Sequence, residues 1–152
     1  MNHSPKRVIH QLLIDLNLGD DPEDTTPVWP IYYSVLPDGP NNAICVYDTE
    51  NRMEGREMVT GESQEHYGIQ IAIRAENEDV GTSKGRAITE SLDTEVFREL
   101  VTVQGAVYLV QSVGRTTGVL NLGREAPQTD RRRFSINALA SITLLSDTGT
   151  AT

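Results

Sequence analysis

A chain of 152 residues is sized for one folded domain with a real core. Its 22 acidic against 13 basic residues give a net charge of −9, which opposes binding to nucleic acid as a whole and to an anionic membrane surface. The single cysteine excludes an internal disulfide and a multi-cysteine metal site, and no apolar run approaches the roughly 18 residues of a membrane-spanning helix.

Hydrophobic residues make up 38% of the chain and aromatics 5%, so a thin core is expected, or loops and arms that lie outside it. Residues 6–18 predict a helix. Ser4 can cap it, Pro5 can take its first position, and Val8, Ile9, Leu12, Leu13 and Leu16 follow helical spacing up to Gly19. Asp15 inside the apolar stretch, with no small-residue cleavage site after it, sets this segment against a secretory signal. Asp20, Asp21, Glu23 and Asp24 follow in an acidic loop. They lack the central glycine and closing glutamate of a calcium loop, so a solvated loop is expected.

Residues 28–36, VWPIYYSVL, predict a strand whose Pro30 puts it at a sheet edge or at the strand's beginning. The turn signal PDGPNN and a second strand at residues 43–49 predict a hairpin. Cys45 falls in that second apolar run and reads as a buried, inert thiol. Residues 50–64 are polar and hold two glycines, which fits either a long loop or a protruding hairpin with residues 57–60 as one arm. Residues 65–75 alternate cleanly: Tyr67, Ile69, Ile71, Ile73 and Ala75 share one face, and His66, Gly68, Gln70, Ala72 and Arg74 the other. A polar turn at residues 76–82 and a helix from residue 83 to about residue 93 come next, with Ala87, Ile88 and Leu92 on one side.

Residues 98–103 and 106–113 predict a β-hairpin closed by Gln104-Gly105. Residues 115–130, with Gly118, Gly123 and Pro127, predict an extended excursion. The chain then enters its longest strand, residues 131–145. Phe134, Ile136, Ala138, Ala140, Ile142 and Leu144 recur at every second position, and Ser135, Asn137, Ser141 and Thr143 alternate with them. The second face should stand open to water or to a partner. The sum is an α+β fold: a mainly antiparallel sheet with two helices on one face, a single domain over residues 1–145, and a flexible tail over residues 146–152.

No catalytic signature is present. His3, His10 and His66 lack metal-ligand spacing and read as surface residues. The GTSKG run at residues 81–85 lacks the spacing of a phosphate loop and reads as a helix cap. Asp48, Glu50 and Glu54 share one loop region without a partner base. The strongest positive run is Arg131, Arg132 and Arg133, with Arg115 and Arg124 upstream. It fits a solvated strand start guarded by arginine, and equally a salt-bridging patch for an acidic neighbour such as another copy of the chain.

Four stretches then stand in a telling order: LPDGPNNAICVYDT (36–49), YGIQIAIRA (67–75), VQGAVYLVQSVGRTTGVLNLG (103–123) and RRRFSINALASI (131–142). From about residue 29 to residue 145 the chain resembles the minor capsid and tail terminator proteins of long-tailed bacteriophages. The resemblance implies a structural virion protein without catalytic residues, cofactor or membrane partner. It implies a homo-oligomeric ring, typically a hexamer, at the head-proximal end of the tail, assembled in the bacterial cytoplasm. The ring would cap the tail tube protein, stop its polymerisation and dock to the head–tail connector protein, with DNA passing through the channel unbound. Candidate contact residues are Arg115, Arg124, Arg131 and Arg133, with Glu54 and Glu57 of the polar loop. Head-completion proteins, of similar size and α+β character, are the neighbouring alternative. A binding module using the Ser/Thr/Asn face is a more distant one.

Overall fold

The computed structural model describes residues 3–23, 27–49, 52–56 and 63–147. Among these residues two helices, α1 (Pro5–Asp15) and α2 (Glu78–Thr94), accompany eight strands. These are β1 (Ile31–Tyr33), β2 (Ala43–Asp48), β3 (Arg52–Arg56), β4 (Ser63–Ala75), β5 (Glu99–Val103), β6 (Ala106–Arg115), β7 (Leu120–Arg124) and β8 (Arg132–Asp147). The sheet runs β1-β2-β4-β8-β6-β5, with β3 attached to β4 and β7 to β8. Between these strands the pairings are antiparallel except that of β1 with β2. Among the described residues no helix is long and apolar enough to cross a membrane.

The alternation in β4 and β8 sets the core. Ile73 pairs with Phe134, Ile71 with Ile136 and Ile69 with Ala138, and all six are buried. Both helices pack on this face. α1 lies against β1 and β2 and also against β5, so the curled sheet brings its two ends to the same helix. α2 crosses β4, β6 and β8.

α1 ends earlier than its apolar pattern suggests. Asn17 adopts a left-handed φ of 59°, and Leu18 N–H returns to the Leu13 carbonyl at 3.0 Å. Asn tolerates that conformation, so the helix stops before Gly19. Gly19 serves a different end, the close approach of Ile31 and the Trp29 carbonyl. Ser4 occupies the cap position without a side-chain capping bond; Asp48 of β2 instead accepts Lys6 N–H at 2.8 Å.

α2 starts earlier than expected. Residues 78–82, read as a turn, form its first part, with Asn77 accepting Val80 N–H at 2.9 Å as the cap. The glycines of GTSKG are therefore interior, not capping. A Cβ on Gly81 would collide with the Phe134 ring, and one on Gly85 would lie 2.8 Å from Val119 Cγ1. The glycines let the helix lie close on the sheet.

The expected hairpin of the first two strands is also corrected. β1 runs parallel to β2, Ile31 opposite Ile44. Ser34, at φ 83°, turns the chain out of β1, and residues 35–42 cross the second face of the sheet before β2 begins. That face is thus partly covered: Cys45 and Ser135 are buried there, whereas Thr143 remains exposed. Burial raises the Cys45 thiol pKa, which suppresses the reactive thiolate.

Residues 52–56 pair with the first part of β4, which is the hairpin reading of that polar region, while residues 57–60 lie outside the described residues. β8 pairs with β4 only from Tyr67 onward, so this hairpin extends beyond the shared ladder. The β5–β6 hairpin turns through Gln104 (φ 47°) and Gly105 (φ 85°) as expected. Residues 120–124, expected in an excursion, instead form β7, which resumes pairing along β8 beyond the end of β6. β8 reaches Asp147, paired with Ala106, and residues 148–152 lie outside the described residues.

Candidate functional site

The arginines of the sequence divide into two groups. Arg131 is spent inside the chain. Its Nε donates to Asn41 Oδ1 at 3.0 Å, Nη1 to the Asp38 carbonyl at 2.7 Å and Nη2 to the Gly39 carbonyl at 3.1 Å. Arg74, buried on the second face of β4, donates to the Pro37 and Pro40 carbonyls of the same loop. Glu125 lies between the two guanidiniums, its Oε2 3.6 Å from Arg74 Nε and its Oε1 4.0 Å from Arg131 Nη1. Burial lowers the Arg74 pKa, and the Glu125 charge opposes that shift; an arginine so placed stays cationic.

Arg115 is also paired. It reaches Asp93 near the end of α2 through Nε at 2.9 Å and Nη2 at 2.6 Å. This fork of hydrogen bonds holds the Asp93 carboxyl below its ordinary pKa.

Arg124 and Arg133 are exposed and make no salt bridge or side-chain hydrogen bond among the described residues. Arg133 sits beside Arg74 and Gly123 in the strand register, and Arg124 pairs with Arg132. Arg132 lines a surface pocket together with Glu76, Glu78, Asp79 and Asp130. Glu54 belongs to β3, and Glu57 lies outside the described residues.

Other groups have structural work. His10, expected at the surface, is buried and donates Nε2–H to the Ile31 carbonyl at 2.7 Å, with its ring edge-on to Tyr33. It lines a groove of about 600 Å³ between α1, β1 and the end of β5. In the acidic loop, Asp20 accepts the N–H groups of Val28 and Trp29, and Asp21 that of Glu23. These carboxylates therefore act as turn acceptors. Among the described residues no group of three or more His, Cys, Asp or Glu could hold a metal ion.

Sequence reasoning missed Arg74 and Glu125. The one signal for Arg74 was a long cationic side chain inside an otherwise apolar or small-residue strand.

The sequence model of the bacteriophage tail terminator protein family matches residues 12–137. The chain belongs to the bacteriophage tail terminator family. No curated protein matches it significantly. The tail terminator match spans α1 from Leu12, the Arg74–Glu125–Arg131 cluster and the start of β8. The tail terminator family is structural, so this chain is a component of the phage tail whose partners are other tail and head proteins.

Proposed function

We propose that the chain acts as a ring-forming terminator subunit: copies close, typically as a hexamer, on the end of the tail tube, stop its polymerisation and offer a face to the head–tail connector. The family match over residues 12–137 carries this reading. The role is assembly, with no chemical step. The hairpin of β3 and β4, extending past the shared ladder, supplies an arm suited to a neighbouring subunit or the tube. A net charge of −9 suits a ring that DNA threads without adhering, because like charges repel.

The test is depletion of this chain during phage assembly. Tails of uncontrolled length and unjoined heads are expected, and adding the purified chain to growing tubes should arrest their elongation. Tails of normal length with heads left unjoined would transfer the role to head completion. Normal virions would refute both.

A further inference from the structure

Opposite edges of the sheet carry complementary surfaces. One cross-strand row runs Ile31, Ile44, Ile73, Phe134, Asn121, from β1 through β2, β4 and β8 to β7. The row has four strand spacings, so the two edges lie about 19 Å apart. Among the described residues β7 pairs only with β8, and no other described strand lies along its outer side.

The β7 edge is apolar and basic. Leu122 is 60% exposed and Leu120 is 42% exposed. Arg124 closes the strand and Arg133 stands on the neighbouring one, both without an ion pair among the described residues. Gly123, at φ 84°, and a register shift between Asn121 and Gly123 distort this edge, a device that discourages indiscriminate strand pairing.

The β1 edge is apolar and acidic. Val28 and Val35 are each 70% exposed, and Tyr33 is 39% exposed. Asp20 runs alongside Pro30 on the outer side of β1, which brings Asp21 and Glu23 to the same edge. The nearby cations are held over aromatic rings, Arg7 at 5.4 Å from the Tyr33 centroid and Lys84 at 5.1 Å from that of Trp29. Ile31 has both backbone groups satisfied, its N–H by the Asp20 carbonyl and its carbonyl by His10. A partner here is therefore gripped by side chains, not by strand addition.

We propose that the β7 edge of one copy docks on the β1 edge of the next, Leu120 and Leu122 meeting Val28 and Val35 while Arg124 and Arg133 face Asp21 and Glu23. The charge complementarity of the two edges identifies the partner as a second copy of this chain. Because the two faces differ, the contact is head-to-tail, the kind that closes into a ring when the rotation permits. The proposal rests on the ring reading above and specifies its subunit contact.

The test uses four full-length chains: wild type, Arg124→Glu/Arg133→Glu, Asp21→Lys/Glu23→Lys, and the chain with all four changes. Light scattering and native mass spectrometry at low and high salt read their self-association. Each double variant should associate about tenfold more weakly or worse, and high salt should weaken the wild type. The two double variants mixed should assemble in alternation, because native and charge-reversed edges then both pair, and the fourfold chain should associate again through the reversed pairing alone. Wild-type association that neither double variant alters overturns this contact and leaves the ring reading standing. If the wild type is monomeric alone, the same chains are scored for capping tail tubes. Loss in both double variants with recovery in the fourfold chain supports the contact; equal capping by all four overturns it. A wild type that neither associates nor caps tubes overturns the contact and the ring reading together.

Discussion

Arg74 and Arg131 bind interleaved carbonyls of one loop, Pro37 and Pro40 for the first, Asp38 and Gly39 for the second. One arginine reaches the loop from the middle of the sheet and the other from the entry to β8. A loop joining adjacent parallel strands must cross the sheet, which turns the part-buried Pro37 and Pro40 carbonyls toward Arg74, while the exposed Asp38 and Gly39 carbonyls meet Arg131. Two planar, permanently charged donors satisfy them, and Glu125 offsets the two charges.

Arg74→Met should therefore destabilise the fold by about 2–4 kcal/mol, since it leaves two part-buried carbonyls without their donor and Glu125 without its closer cation. Arg131→Ala, at a partly exposed site, should cost about 1–2 kcal/mol. Arg74→Lys should rescue little, because an ammonium lacks the fork that spans two carbonyls. Denaturant unfolding gives the order, and faster amide exchange around residues 38–41 should accompany both losses. If Arg74→Met is no more costly than Arg131→Ala, the clamp is not centred on Arg74.

Gly81 and Phe134 form a second dependent pair. Gly81→Ala places a methyl group inside the Phe134 ring envelope, which should cost about 1–3 kcal/mol despite alanine's better helix propensity. Combining it with Phe134→Leu should recover part of that loss, so the two changes will not add. A double-mutant cycle by thermal or urea unfolding measures the coupling, and strict additivity would contradict the helix–sheet contact.

These pairs explain which parts of the fold the sequence made legible. The β4 and β8 strands were plain because one face of each is buried along its length, which imposes period two. The β5–β6 turn was plain because Gly105 must hold a positive φ. The start of α2 was hidden because Gly81 suggests a turn locally, while its reason for being glycine is a ring on a distant strand. The parallel pairing of β1 and β2 was hidden for a similar reason: PDGPNN signals a turn, but the anchors that carry the chain across the sheet are Arg74 and Arg131. The arginine run was visible as charge. Only tertiary structure separates the inward Arg131 and the paired Arg115 from the outward Arg124 and Arg133.

The β5–β6 turn offers a stabilising change. Gln104 holds φ 47° ahead of Gly105, a left-handed conformation that asparagine adopts at lower cost. Gln104→Asn should raise stability by about 0.5 kcal/mol, less whatever the 3.4 Å contact of Gln104 with His3 contributes. Thermal unfolding of the two chains settles the sign, and a lower melting temperature would give the His3 contact the larger share.

His10 should make the fold acid-sensitive. Burial lowers its pKa in the folded chain, Arg7 adds to that, and the Ile31 carbonyl and Asp21 oppose it. In the unfolded chain the imidazole titrates near its ordinary value of about 6.5. Below that pH the unfolded chain takes up a proton that the folded chain resists, so stability falls as the solution is acidified. The loss begins near the unfolded value, continues until the folded pKa is reached, and is at most about 1.4 kcal/mol per pH unit for one group. His10→Gln keeps a donor for the Ile31 carbonyl but removes the titration. Its unfolding free energy should change less than that of wild type between about pH 7.5 and about pH 5.5. Equal slopes for the two chains would assign the acid sensitivity to other groups.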